Sequence, residues 1–143
     1  MVNQEIAKIF YEMALLLEMR DEPFKPRAFE KASLSIGALD RDLGEIYKEG
    51  GIKALEQIPD VGRGIAERIE EYVRHRRVKD YEALKKKVPV NLEELKRVEG
   101  LGPKKIKLLW QKLKIRTLAD LEKAARAGNI RDVKTLGPKT EGN

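Results

Sequence analysis

VEGLGPKKI, residues 98–106, is the segment from which the fold of this 143-residue chain can be predicted. Two glycines flank one apolar residue, so we expect a tight turn, with a positive φ at Gly102 and room for another backbone to approach. Pro103 suits the first position of a helix, because the N–H group that proline lacks would have no partner there. Lys104 and Lys105 follow in the same turn. Since the unpaired N–H groups of a helix start favour an anion, the segment predicts a phosphate-binding hairpin.

The segment recurs along the chain. Residues 58–66, IPDVGRGIA, fit the same frame 40 positions earlier, and residues 136–139 repeat residues 101–104 letter for letter. One such loop could be an ordinary connection between two helices, but three at spacings of 40 and 35 residues indicate a repeat architecture. The predicted phosphate-binding residues are those of the first two turns, namely Gly62, Arg63, Gly64, Gly100, Leu101, Gly102, Lys104 and Lys105.

The three copies are not equivalent. Asp60 replaces the first glycine in the first copy, where a carboxylate near a phosphate is unfavourable, and Thr135 replaces it in the third. The third copy has no room for its second helix before Asn143, which we interpret as the sign of a fragment of a longer chain. Only the second copy is complete, so we expect it to be the main phosphate contact.

Charge divides the chain unevenly. Residues 1–50 carry 7 Lys/Arg against 10 Asp/Glu, whereas residues 51–143 carry 23 against 14. The basic part holds the hairpins, which favours a polyanionic partner, although a solvated lysine-rich surface would show the same balance. The sequence has no cysteine for a disulfide or a thiolate zinc site. Neither a signal peptide nor a membrane-spanning run is apparent, so we expect a cytoplasmic protein with no membrane partner.

The apolar pattern predicts an all-α fold, since no stretch alternates apolar and polar residues over the length of a strand. Asn3 is the expected N-cap of a first amphipathic helix, and Leu34 is expected to face inward from a second. A seam near Val88-Pro89-Val90 divides the chain into two parts. Residues 1–88 should form a small helical domain with the first hairpin, and residues 89–143 a second hairpin module with the truncated third copy.

Each copy resembles the helix-hairpin-helix motif, a DNA-binding element of repair and replication proteins that reads no base sequence. The order of parts, with the second motif followed by IRTLADL at residues 115–121, resembles the family X DNA polymerases, the group of DNA polymerase beta. Residues 3–10 and 24–32 resemble the bacterial and archaeal members. The resemblance implies the lyase-type N-terminal domain and the neighbouring subdomain of a nucleotidyltransferase that acts in DNA repair, including base excision repair. Its partners would be DNA and the remainder of the polymerase chain, whose palm would hold the magnesium ions.

The sequence departs from this family at several positions. Members with deoxyribose-phosphate lyase activity carry a Schiff-base lysine where this chain has Arg68, and a guanidinium cannot act as the amine nucleophile. We therefore expect no catalytic residue. Lys25 matches a family lysine that contacts the 5′-phosphate of a gap, with Arg68 as a second contact, whereas the nearby family tyrosine is Phe29. In the family, hairpin carbonyls also bind a sodium or potassium ion, and the matching positions are Lys96, Val98 and Leu101.

The predicted function is binding of gapped or primer–template DNA through its phosphate backbone, without sequence specificity. Two alternatives remain open from the sequence: a 5′-deoxyribose-phosphate lyase that uses a displaced lysine, and a helical scaffold for protein interaction. The basic run from Arg74 to Arg77 fits either phosphate contact or a solvated helix end. Tyr72 and Trp110 could stack on bases, but their helical spacing favours core packing.

Overall fold

The computed structural model describes residues 1–20 and 25–128. In these ranges the chain forms eight α-helices and no strand, which confirms the predicted all-α class. The helices are α1 (Asn3–Met19), α2 (Lys25–Gly37), α3 (Leu43–Leu55), α4 (Arg63–His75), α5 (Lys79–Lys87), α6 (Leu92–Leu95), α7 (Pro103–Leu113) and α8 (Leu118–Arg126).

The chain separates into two compact units between Lys86 and Lys87. The first unit contains α1 to α4 and all but the last residue of α5, and the second contains α6 to α8. Among the described residues, no helix is both long enough and apolar enough to cross a membrane.

The core of the first unit forms between α1 and α2. Phe10 of α1 is fully buried, and its ring meets the ring of Phe29 edge to face, with the centroids 5.5 Å apart. Ala32 and Ile36 continue the buried side of α2. The expectation that Leu34 faces inward was wrong, because its side chain is 69% exposed. Position 34 falls between the residues that the 3.6-residue helical period directs at α1.

Asn3 is the first residue of α1 rather than its N-cap, which corrects the sequence-based expectation. Its side chain is buried and reaches the start of α3 instead. The Nδ2 amide donates to the carbonyl of Arg41 at 2.7 Å, and Oδ1 accepts from the N–H of Leu43 at 2.8 Å. Asn3 therefore caps α3 from 40 residues away. Within α3, Gly51 is non-helical with a φ of 66°, so this helix is interrupted by a kink.

Tyrosine–carboxylate hydrogen bonds also connect distant parts of the first unit. The Tyr72 hydroxyl donates to Glu5 at 2.5 Å, and the Tyr47 hydroxyl donates to Glu70 at 2.6 Å. Each hydrogen bond to a carboxylate raises the pKa of its tyrosine above the ordinary value of 10.0. Tyr72 is only 9% exposed, so it packs in the core and its ring does not offer a face to a base.

The second unit has its own core, formed by Leu92, Leu95, Leu101, Ile106, Leu109, Ile115 and Leu121. Two of its helices begin at side-chain caps. Asn91 accepts from the N–H of Glu94 in α6, and Thr117 accepts from the N–H of Asp120 in α8, both at 3.1 Å. The N–H of Asn91 also donates to the carbonyl of Arg116 at 2.7 Å, which joins the starts of these two helices.

Candidate functional site

Two hairpins with the same backbone conformation lead into α4 and α7. In the first, the N–H of Val61 donates to the carbonyl of Ile58 at 3.1 Å. In the second, the N–H of Leu101 donates to the carbonyl of Val98, also at 3.1 Å. The next residue is a glycine N-cap in each, with φ and ψ of −90° and −174° in the first and −92° and −179° in the second. The 40-residue repeat in the sequence is thus a repeat of structure.

In the second hairpin, the positive φ lies two residues before Gly102, the position at which we predicted it from the sequence. Gly102 is extended, a conformation open to any residue, so the expectation of a positive φ there was wrong. Gly100 carries it instead, with a φ of 81°, and its counterpart Asp60 has a φ of 66°. Aspartate enters this region more readily than most residues, and the Asp60 carboxylate accepts a hydrogen bond from the Ser35 hydroxyl at 2.8 Å. An N-cap typically has an extended backbone, and in both hairpins the residue with positive φ lies two positions before the extended N-cap.

The starts of both hairpin helices are uncapped. Neither α4 nor α7 has a side chain that accepts from its first N–H groups, in contrast to α6 and α8. A Cβ atom added at Gly62 or Gly102 would meet no atom of the described residues within 4 Å. Packing inside the protein therefore does not require glycine at either position.

The two hairpins differ in charge. The first, residues 56–67, has three carboxylates against one arginine, Arg63. The guanidinium of Arg63 lies 3.6 Å from the Glu56 carboxylate, an ion pair too long for a hydrogen bond. The second, residues 96–107, has five basic residues against one carboxylate, Glu99. Of the two hairpins in the described residues, the second alone combines an uncapped helix start with an excess of positive charge.

Lys104 and Lys105 lie in the first turn of α7, where the sequence placed them. Lys104 is exposed and Lys105 is half-buried. Within residues 1–20 and 25–128, neither ammonium group has a carboxylate partner. Pro103 has no N–H, so the amides of these two lysines are the first that α7 can offer. The second hairpin thus has two backbone donors and two lysines in the first turn of α7.

Arg68, a predicted 5′-phosphate contact, is held by neighbours in the first unit. One guanidinium nitrogen lies 2.5 Å from the Asp80 carboxylate, and another donates to the carbonyl of Gly64 at 2.9 Å. The guanidinium also lies 5.3 Å from the centre of the Phe29 ring. Asp80 therefore neutralises the charge that a phosphate would use. The sequence shows no sign of this pair, because it depends on how α5 folds back on α4.

The other predicted first-unit contacts are placed as follows. Arg76 and Arg77, in the basic run after α4, pair with Glu5 at 3.5 Å and Glu82 at 2.9 Å. These ion pairs fit the interpretation of the run as a solvated helix end. The side chain of Lys25 and the third hairpin, residues 136–139, lie outside the described residues.

The predicted cation ligands Lys96, Val98 and Leu101 all lie in the second turn. The carbonyl of Val98 accepts one hydrogen bond, from Leu101, and a carbonyl oxygen has two lone pairs. Backbone carbonyls are hard donors of the kind that bind alkali ions in proteins, so this turn fits a sodium or potassium ion. In the described part of the chain, no group of three or more acidic, histidine or cysteine side chains could hold a metal ion.

Comparisons with known proteins agree with these motifs. The family described as "Helix-hairpin-helix domain" matches residues 1–78, and "SAM-like Helix-hairpin-helix tandem" matches residues 92–143. Over 142 residues the chain is 29% identical to "DNA polymerase/3'-5' exonuclease PolX" of Bacillus subtilis (strain 168). The match covers 99% of this chain and 24% of that protein, so the chain spans about a quarter of its relative's length. The resemblance to family X DNA polymerases is thereby confirmed.

Proposed function

The chain belongs to the helix-hairpin-helix domain family, and on that premise we propose that its second hairpin binds the sugar–phosphate backbone of DNA. Contacts of this kind position a duplex and carry no sequence information. A phosphate oxygen at the start of α7 would accept from the amides of Lys104 and Lys105 and lie next to their ammonium groups. The helix dipole favours the same charge.

One observation carries this proposal: the start of α7 has no side-chain cap and carries two lysines that have no carboxylate partner among the described residues. A serine or asparagine at Gly102 would be a good N-cap, and the chain uses side-chain caps at α6 and α8. Glycine at this position leaves the amides available to an anion from outside. The charge of the whole unit points the same way, because residues 87–143 carry 14 basic against 7 acidic residues, whereas residues 1–86 carry 16 against 17.

We propose further that DNA held in this way serves a family X polymerase, at a gap or primer–template junction during repair. The similarity to PolX supports this context, and the contact of Lys25 with a 5′-phosphate would belong to the same role. A sodium or potassium ion on the carbonyls of Lys96, Val98 and Leu101 would add a bridge to a phosphate oxygen. A nucleotidyltransferase palm in the complete reading frame would support the polymerase context, and a reading frame without one would contradict it.

The lyase alternative has less support. Arg68 stands at the position of the family amine and is neutralised by Asp80, so the proposal includes no lyase step. The scaffold alternative predicts no salt-dependent binding of DNA, and the following experiment separates it from the proposal.

The experiment is a salt titration of duplex binding by the parent chain and Lys104→Ala, measured by fluorescence anisotropy. A protein that loses one phosphate contact on B-DNA should lose about 0.9 from the slope of log K against log salt concentration. Lys48→Ala is the matched control, because Lys48 is an exposed lysine of the first unit. The change in slope should be the same for duplexes of unrelated sequence. Equal slopes for Lys104→Ala and Lys48→Ala would contradict the proposal.

A further inference from the structure

A second group of cations lies in the second unit, where α7 ends and α8 begins. A cleft of about 390 Å³ opens there, with Leu113 and Ile115 among its apolar lining residues. Three basic residues also line it: Lys114, Arg116 and Lys123. We call this feature the Arg116 cleft.

The Arg116 cleft has an excess of positive charge that the described residues do not compensate. Its carboxylate, Asp120, accepts a hydrogen bond from the backbone N–H of Arg116 at 3.0 Å. Arg116 and Lys123 are exposed, and neither forms an ion pair within residues 1–20 and 25–128. In the first unit, by contrast, Arg76 and Arg77 both have carboxylate partners. Unpaired cations around a cleft are the pattern of a surface that takes an anion.

The backbone that carries Arg116 is held on both sides. Its N–H donates to Asp120, and its carbonyl accepts from the N–H of Asn91 at 2.7 Å. The guanidinium therefore extends from a fixed point, which lowers the entropy that binding would cost. A guanidinium presents several donors in one plane and matches the oxygens of a phosphate.

The distance from the second hairpin suits a continuous strand. The 11 residues of α7 separate the hairpin from the cleft, and at 1.5 Å per residue this is about 16 Å. Phosphates of one DNA strand advance about 3.4 Å per nucleotide along the helix axis and also wind around it, so a straight interval of this length corresponds to about three nucleotides. Both features belong to the second unit, so this unit could contact one strand at two points without the first unit.

We propose that the Arg116 cleft is a second contact for the DNA backbone, about three nucleotides from the phosphate held by the second hairpin. Arg116 and Lys123 bind the phosphate, and the half-buried apolar side chain of Leu113 lies next to the deoxyribose carbons. This inference rests on the proposed function, because it assumes that the hairpin holds the same DNA. It assigns to the end of α7 a role that the hairpin motif does not include.

The test compares salt titrations of the parent chain, Arg116→Ala and Lys123→Ala on one duplex. Each substitution should lower the slope by about 0.9, which corresponds to about eightfold weaker binding at 0.1 M salt. Arg116→Lys keeps the charge and should keep the slope, and Lys48→Ala should match the parent. An unchanged helical circular dichroism spectrum shows that each variant is folded, as expected for exposed side chains.

The outcomes separate the two proposals. If Lys104→Ala lowers the slope while folded Arg116→Ala and Lys123→Ala keep the parental slope, the cleft does not contact DNA and the hairpin proposal stands. If the parent shows no salt-dependent binding to DNA, the proposed function itself fails, and the cleft proposal fails with it. Lower slopes for Arg116→Ala and Lys123→Ala, together with the parental slope for Arg116→Lys, support the cleft contact.

Discussion

Substitution of Gly102 by serine should separate DNA binding from stability, because it should move the two in opposite directions. Gly102 is an extended N-cap, and a Cβ atom there meets nothing within 4 Å among the described residues. A serine Oγ would accept from the N–H of Lys105, as Asn91 and Thr117 accept from the third residue of their own helices at 3.1 Å. Serine is a better N-cap than glycine by a few tenths of a kcal/mol, so the melting temperature should stay the same or rise slightly.

The same Oγ would occupy an amide that the proposal assigns to a phosphate. A hydrogen bond to a charged group contributes about 1.5–3 kcal/mol, so the loss of one should weaken DNA binding about ten- to a hundredfold. Fluorescence anisotropy at one salt concentration measures this loss, and thermal unfolding measures the stability. A Gly102→Ser variant that binds DNA as tightly as the parent would show that the N–H of Lys105 does not bind a phosphate.

Gly100→Ser is the matched control. The φ of Gly100 is 81°, in the left-handed region, where a residue with a Cβ costs about 1–2 kcal/mol. This variant should therefore unfold at a lower temperature than the parent, whereas Gly102→Ser should not. Equal destabilisation by both substitutions would mean that the backbone of the second hairpin differs from the one described.

Three further predictions concern the first unit. Borohydride should trap no adduct with abasic-site DNA that carries a 5′-deoxyribose phosphate, because Arg68 offers no amine; trapping that Lys25→Ala abolishes would contradict this. On folded protein at one salt concentration, Lys25→Ala should weaken binding to a phosphorylated gap more than to the same gap without phosphate, and equal losses would remove Lys25 from the 5′-phosphate site. The hydrogen bond from Tyr72 to Glu5 raises the pKa of Tyr72 above 10.0, so its stabilisation is complete below pH 10 and is lost as the pH rises through the folded-state pKa. Tyr72→Phe should therefore cost about 1 kcal/mol of stability at pH 8. The melting temperature of this variant should fall less steeply than that of the parent as the pH rises above 10. A parental melting temperature for the variant at pH 8 would count against this hydrogen bond.

The hairpins could be predicted from the sequence because their conformation depends on a few consecutive residues. Each hairpin has a glycine as the N-cap of its second helix, and the 40-residue repeat appears in the structure as two turns with the same 3.1 Å hydrogen bond and nearly the same φ and ψ at that glycine. The position of the positive φ was the exception. A glycine permits a positive φ without requiring it, and only the extended conformation of the N-cap shows that Gly102 does not use it.

Contacts between distant residues explain the expectations that failed or were incomplete. Asn3 has the side chain of an N-cap, but its amide serves the start of α3, because the packing of α1 brings it to Leu43. The sequence predicts that Arg68 is available to a phosphate. In the structure, Asp80 pairs with Arg68 across the turn between α4 and α5. The local sequence indicates which interactions a side chain is able to make. The residues that surround the side chain in the folded protein decide which of these interactions it makes.

The sequence by itself determined that this chain is helical, that its hairpins repeat, and that its positive charge collects in the second part. These properties follow from periodicity, from glycine and proline, and from counting charges, none of which needs a partner in space. Only the tertiary structure decided which cations remain unpaired. Arg68, Arg76 and Arg77 of the first unit meet carboxylates from other helices. Lys104, Lys105 and Arg116 meet none among the described residues. An ion pair requires two side chains within about 4 Å, and the fold alone sets that distance.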